Sequence, residues 1–167
     1  MGDNKKKVIR VSEHIIEFVS DSGEGAQKAG QTFGNVSAKM GNGVWTVEII
    51  PAEIKPPRRT IHGASGVRIR IGSEPVTNAG DETDLVIAFN EQVLLSRVLS
   101  NNLKKNAIIL LEDKWRPDPD PEIVRAYLKV HEQLVAEGYQ VYETSMEMEC
   151  LKCVKDFRFG KNMFALG

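Results

Sequence analysis

Apolar residues along this chain recur with two periods that take turns from one segment to the next. Ile15, Ile16, Phe18 and Val19 crowd into a short run that Ser20, Asp21, Ser22 and Gly23 close, which predicts a strand within residues 8–19. From Ala26 the spacing changes. Ala26, Ala29, Phe33, Val36 and Met40 fall at three- and four-residue steps on one helical face, and Gly41 suits the left-handed position that ends such a helix. Residues 44–50 are rich in β-branched and aromatic side chains and predict a second strand. Residues 51–66 hold three prolines and two glycines and predict the longest irregular segment. In residues 67–71, Val67, Ile69 and Ile71 alternate with Arg68 and Arg70, the pattern of a strand with one wet face.

The alternation continues to the carboxyl end. Residues 78–81 are turn chemistry, 85–89 read as a central strand, and Asn90 caps a helix that reaches Ser100. Residues 107–111 predict another buried strand. Asp120 and Pro121 then open a helix along the stripe Val124, Tyr127, Leu128, His131, Leu134 and Val135, which Gly138 closes. A last strand over 139–142 and a helix over 146–154 follow. Strands alternating with helices of these lengths predict one three-layer α/β/α domain over residues 1–167, with a mixed or mostly parallel sheet and residues 1–7 as a lysine-rich lead-in. Ligands of such sheets gather at the carboxyl ends of the strands.

Composition narrows the partners. The chain has 167 residues, 41% hydrophobic and 27% charged, ordinary proportions for a globular core. Its 22 basic and 23 acidic side chains leave a net charge of −1, so no global field attracts nucleic acid or an anionic membrane. No stretch approaches the roughly 18 apolar residues of a membrane span, and MGDNKKKVIR lacks the apolar centre of a signal peptide, so a cytoplasmic location is expected. Two cysteines, Cys150 and Cys153, are too few for a disulfide framework.

The first strand-to-helix junction carries the main candidate chemistry. A glycine turn that opens a helix leaves unpaired amides and partial positive charge, so Gly23, Glu24, Gly25, Gln27 and Lys28 form a candidate anion-facing edge. The spacing to Gly30 matches neither the dinucleotide fingerprint nor a phosphate-binding Walker loop. Turn geometry and close helix packing explain the glycines equally well; the polar insert Glu24, Gln27, Lys28 favours a ligand-facing loop. Arg58, Arg59 and His62 in the proline segment could meet a phosphate or carboxylate, with solvated loop charge as the simpler reading, and Glu53 reads as exposed. Cys150-x-x-Cys153 could be half of a metal site or a redox dithiol, but no second pair completes it, so two ordinary thiols are expected. His131 lies on an apolar stripe and reads as packed. No catalytic triad and no metal ligand set is assigned.

The blocks SDSGEGAQKAGQ, TVEIIPAEI, GASGVRIRIG, NAGDETDLVIAFNEQVL and KNMFALG, taken in order, resemble the gamma domain of 2-oxoacid:ferredoxin oxidoreductases. The likeness is to the amino-terminal part of the 2-oxoglutarate-specific alpha subunit and runs from about Val8 to the end. It implies a part of an assembly that decarboxylates a 2-oxoacid on thiamine diphosphate, passes electrons through iron–sulfur clusters to ferredoxin and gives the acyl group to coenzyme A. Thiamine diphosphate, magnesium and the clusters would lie in the alpha and beta partner subunits or domains, with no cofactor held by this chain alone. The glycine block and the Gly63-Ala64-Ser65-Gly66 turn would then face coenzyme A or a catalytic neighbour, with Lys28, Arg58, Arg59 and Ser65 as candidate contacts. In fused members of the family the KNMFALG-like segment continues into further chain. The alternative is a stand-alone nucleotide or acyl-CoA binding module.

Overall fold

In the computed structural model, which describes residues 10–167, one six-stranded sheet runs in the order β2-β3-β1-β4-β5-β6. The strands are β1 (Glu13–Asp21), β2 (Gly43–Ile49), β3 (Ala64–Gly72), β4 (Thr83–Ala88), β5 (Leu103–Glu112) and β6 (Gln140–Thr144). The helices are α1 (Ala26–Lys39), α2 (Glu91–Leu99), α3 (Pro121–Ala136), α4 (Met146–Leu151) and α5 (Lys161–Phe164), with 3-10 turns at Ile61–Gly63 and Phe157–Phe159. The lead-in expected over residues 1–7 lies outside the described residues.

The sheet is mixed. β1, β4, β5 and β6 are parallel, while β3 pairs antiparallel with both β1 and β2. All the parallel strands therefore deliver their carboxyl ends to one edge, where the segment between β2 and β3 also lies.

Two apolar clusters separated by the sheet explain the three layers. On one face Ile16, Phe18, Val67, Ile69, Ile87 and Phe89 pack against Ala26 and Ala29 of α1, Met146 and the partly buried Phe164. On the other, Val19, Val86, Ala88, Ile109 and Leu111 pack against Val93, Leu94 and Val98 of α2 and Tyr127, Val130 and Leu134 of α3. Neighbouring residues of one strand feed opposite clusters, as the pleat requires.

The cappings match the expectation: Asn90 Oδ1 accepts from the amides of Gln92 and Val93, and Asp120 accepts from Glu122 with Pro121 in the first turn. Three details differ. Val36 of α1 and its C-cap Met40 are exposed, because Gly30 and Gly34 rather than larger residues face the sheet there; a Cβ on Gly30 would overlap Val67 Cγ1. Arg68 does not face water but is 8% exposed, donating to the carboxylate of the fully buried Glu17, which Arg97 of α2 also binds. Helix α4 ends at Leu151 instead of residue 154, and the chain turns back through Phe157–Phe159 into α5.

Candidate anion site at the strand carboxyl edge

The glycine turn connects β1 to α1 with Gly23 at φ 87° and Gly25 at φ 92°, left-handed values that favour glycine. Gly25 is the N-cap; it offers no side chain, and the first turn of α1 holds no acidic residue. Nothing from this helix's own side chains caps its first amides, so the partial positive charge there is open to an anion. A Cβ on Gly25 would press on Asn162 of α5 at 3.1 Å, so glycine also lets α5 cross the helix start.

A cavity of about 290 Å³ opens beside this turn, lined by Ser22, Gly23, Glu24, Arg58, Lys114, Phe157, Arg158 and Lys161. Four segments supply the walls: the turn after β1, the loop before β3, the residues after β5, and the returning chain around α5. Four cationic side chains meet a single carboxylate, Glu24. A hollow of similar size near the amino end of β1 has one cation, Arg70, paired with Glu13 and Asn78, as Arg158 of the cavity is paired with Asp156.

Lys161 is the least expected of the lining groups. It is 4% exposed, its Nζ lies 3.2 Å from Glu112 Oε2 and 3.8 Å from Glu147 Oε2, and it sits 4.7 Å over the Phe89 ring. That Nζ makes no hydrogen bond. An ammonium so desolvated is held chiefly by the charge of the two carboxylates beside it. Lys114 Nζ reaches Glu147 at 2.7 Å and stacks over Trp115 at 4.4 Å. Burial pushes the carboxyls of Glu24 and Glu112 above the usual range, against the pull of Lys161 and Lys114. A proton on Glu24 removes the cavity's one negative lining charge.

Of the residues expected from sequence, Gly23, Glu24 and Arg58 line the cavity and Gly25 opens the adjoining helix. Gln27 and Lys28 lie on α1 outside the lining, with Lys28 exposed. Residues 64–66 form no turn: Ser65 lies inside β3, buried opposite Ser20, because the irregular segment ends at Gly63. Arg59 is not among the residues that line the cavity. Its backbone N–H donates to Asp21 Oδ2 at 2.9 Å, its guanidinium pairs with buried Glu91, and it stacks 4.5 Å over Trp115. His62 and Glu53 are exposed.

Sequence reasoning missed Lys114, Phe157, Arg158 and Lys161. The rule that ligands sit at strand carboxyl ends points at Lys114, just past β5. Nothing local marks Lys161, whose place depends on the chain folding back. Cys150 is buried, Cys153 exposed, and both thiols are free. Among the described residues no group of three potential ligands could hold a metal, and His131 stacks on Tyr127 near Glu143. No helix among them is long and apolar enough to cross a membrane.

Comparison with known proteins adds family and scale. Residues 16–167 match the family described as pyruvate ferredoxin/flavodoxin oxidoreductase. A 2-oxoglutarate oxidoreductase subunit KorA of Mycobacterium tuberculosis (strain ATCC 25618 / H37Rv) is 29% identical over 165 residues, covering 95% of this chain and 25% of that protein. Among solved structures, a 2-oxoglutarate:ferredoxin oxidoreductase from Magnetococcus marinus, with 2-oxoglutarate, coenzyme A and succinyl-CoA bound, superposes with TM-score 0.65 at 25% identity, over 92% of this chain and 23% of that one. A keto/oxoacid ferredoxin oxidoreductase gamma subunit from Geobacter sulfurreducens PCA shares the fold with TM-score 0.62 at 16% identity, over 92% of this chain and 71% of that one. This chain thus spans about a quarter of the length of the KorA relative and of the Magnetococcus chain.

Proposed function

We propose that this chain, which belongs to the pyruvate ferredoxin/flavodoxin oxidoreductase family, is the gamma-type unit of a 2-oxoacid:ferredoxin oxidoreductase and that its cationic cavity receives the phosphates of coenzyme A. The acid is 2-oxoglutarate, a choice supported by the KorA relative and the Magnetococcus enzyme. The overall reaction converts a 2-oxoacid, coenzyme A and two oxidised ferredoxins into acyl-CoA, carbon dioxide, two reduced ferredoxins and a proton. Thiamine diphosphate, magnesium and iron–sulfur clusters belong to alpha and beta partners in this reading, which places the assembly in the cytoplasm.

The observation that carries the proposal is the cavity itself, where four cationic side chains line the wall beside the glycine turn that leads into the uncapped start of α1. Arginine forks and ammonium groups are the donors that phosphate oxygens need, and a helix start adds amides without adding countercharge. In this role the chain's residues bind and orient. Arg58, Lys114, Arg158 and Lys161 hold the negative end of coenzyme A, leaving the thiol end free to reach a neighbouring catalytic domain.

The test uses the native complex. Replacing Arg58 or Lys161 by Met removes a charge-assisted contact and should raise the KM for coenzyme A by about tenfold or more, with the KM for 2-oxoglutarate unchanged. Purification of this chain without partner subunits bearing thiamine diphosphate and clusters overturns the subunit reading. Because all four cations come from this chain, a stand-alone acyl-CoA binding module is a second reading. Calorimetric titration of the isolated chain with coenzyme A separates the two: tight binding without partners favours the module.

A further inference from the structure

Two adjacent arginines, Arg58 and Arg59, leave the same loop in different directions: Arg58 lines the cavity and Arg59 is bound into the protein behind it. We propose that Arg59 is a positioning residue, a pin that fixes residues 50–60 and thereby aims Arg58 into the cavity, making no contact with the ligand itself.

The pin has three attachments. Its backbone N–H is shared by both oxygens of the Asp21 carboxylate, at 3.0 and 2.9 Å, and Asp21 also accepts from Asn90 Nδ2 at 3.1 Å. Its guanidinium pairs with Glu91, a carboxylate with no solvent exposure. Its flat face lies on Trp115, whose other stacking partner is Lys114 of the cavity wall. Asp21 also begins the glycine turn: its carbonyl accepts from the Glu24 amide at 3.2 Å and its own amide donates to Glu24 Oε2 at 3.3 Å, so one residue ties the loop carrying Arg58 to the turn that lines the cavity. β1 and β4 are adjacent and parallel, and their helices leave to opposite faces; Arg59 is bonded to Asp21 at the end of β1 and to Glu91 just past β4.

Backbone conformation gives independent support. Arg59 has φ 52°, left-handed for a residue with a Cβ. That geometry is unfavourable for an ordinary side chain and persists where the surroundings over-determine it. Here it turns successive side chains apart, one to the cavity and one to the interior. The guanidinium is suited to the work because a planar cation can stack on indole and bind a carboxylate at once.

Two experiments on the intact complex test the pin. The first needs no ligand: trypsin cleavage after Arg58 should accelerate by about tenfold or more in Glu91→Gln, since opening a loop is a small equilibrium that one lost charge-assisted bond shifts by that factor. Unchanged cleavage, with thermal stability retained, overturns the pin. The second rests on the coenzyme A reading and is a double-mutant cycle on the KM for coenzyme A. Arg58→Ala and Arg59→Ala should each weaken coenzyme A by a similar factor, and the double variant should be no weaker than either, with kcat and the 2-oxoglutarate KM unchanged. Additive losses overturn the pin by making Arg59 a direct ligand. Glu91→Gln gives a second sign: removing a negative charge near an anion site tightens binding by field alone, whereas loosening the pin weakens it. If Arg58→Ala leaves coenzyme A unaffected, the coenzyme A reading fails while the protease result still decides the pin.

Discussion

Glu17 shows why the charged residues of β1 and β3 defied the strand pattern. Period-two alternation in residues 67–71 correctly separated two faces, but the face carrying Arg68 lies beneath α2, whose Arg97 meets the same carboxylate. Sequence alternation cannot say that a basic face is buried when its partner acid sits 51 positions away. Burial raises the Glu17 pKa, yet Arg97 and Arg68 outweigh it and hold the group below 4.5. Its stabilisation is therefore present above pH 4.5 and lost as pH falls through the lower folded value. Glu17→Gln leaves two arginines without their anion and should cost about 3–5 kcal/mol in denaturant unfolding at pH 7. Glu24 runs the other way. Burial raises its folded pKa above 4.5, so its contribution is fully present below that pH and is lost as pH rises through the folded value. Glu24→Gln should therefore stabilise the protein at neutral pH and flatten this part of its pH profile. The same change should tighten binding of sulfate, an anion whose charge does not vary over this range. Weaker sulfate binding in calorimetry would mean that Glu24 has another role in the cavity.

Helix α1 is legible in outline, and Ala26, Ala29 and Phe33 face the core as the stripe predicts, but the far end of the stripe does not. Its limits and its glycine stop follow from local rules, but the large apolar residues Val36 and Met40 point to solvent while Gly30 and Gly34 face the sheet. A pattern search rewards size; the closeness of this helix to β3 rewards its absence. Gly30→Ala tests the point, because helix propensity alone favours alanine by about 1 kcal/mol. Overlap with Val67, Ile69 and Phe18 should reverse that sign and destabilise by about 1–3 kcal/mol, as read from thermal unfolding. The short elements α4 and α5 were harder still. A four-residue helix such as α5 has no periodicity to detect and is held by its neighbours, so nothing local in the KNMFALG block marks Lys161 as a site residue.

At the scale of the whole molecule, the sheet order places β2 at one edge with Trp45 and Val47 each 43% exposed, and Ile50 just beyond it more open still. An edge strand without lysine or proline is an open template for pairing, and clustered apolar residues mark surfaces that other chains cover. The isolated chain should accordingly associate with rising concentration, and Val47→Lys should suppress this in sedimentation velocity. Monodisperse behaviour of the unaltered chain at high concentration would contradict it. The three-layer plan itself was legible because alternating strands and helices leave few topologies. The antiparallel placement of β3 between β2 and β1 was not, since residues 50–63, which carry the chain from β2 into it, follow a path no local pattern reveals.

The cavity draws its walls from residues as far apart in sequence as Ser22 and Lys161. Contacts of such long separation form late, after the loops between them have closed. A chain leaving the ribosome therefore carries the glycine turn well before Lys161, the lysine that completes the cavity, has been added. The complete anion site exists only once residues 157–161 have folded back onto the glycine turn, so ligand binding reports that this long-range contact has formed, and a variant lacking residues 157–167 should keep much of its sheet yet bind anions more weakly.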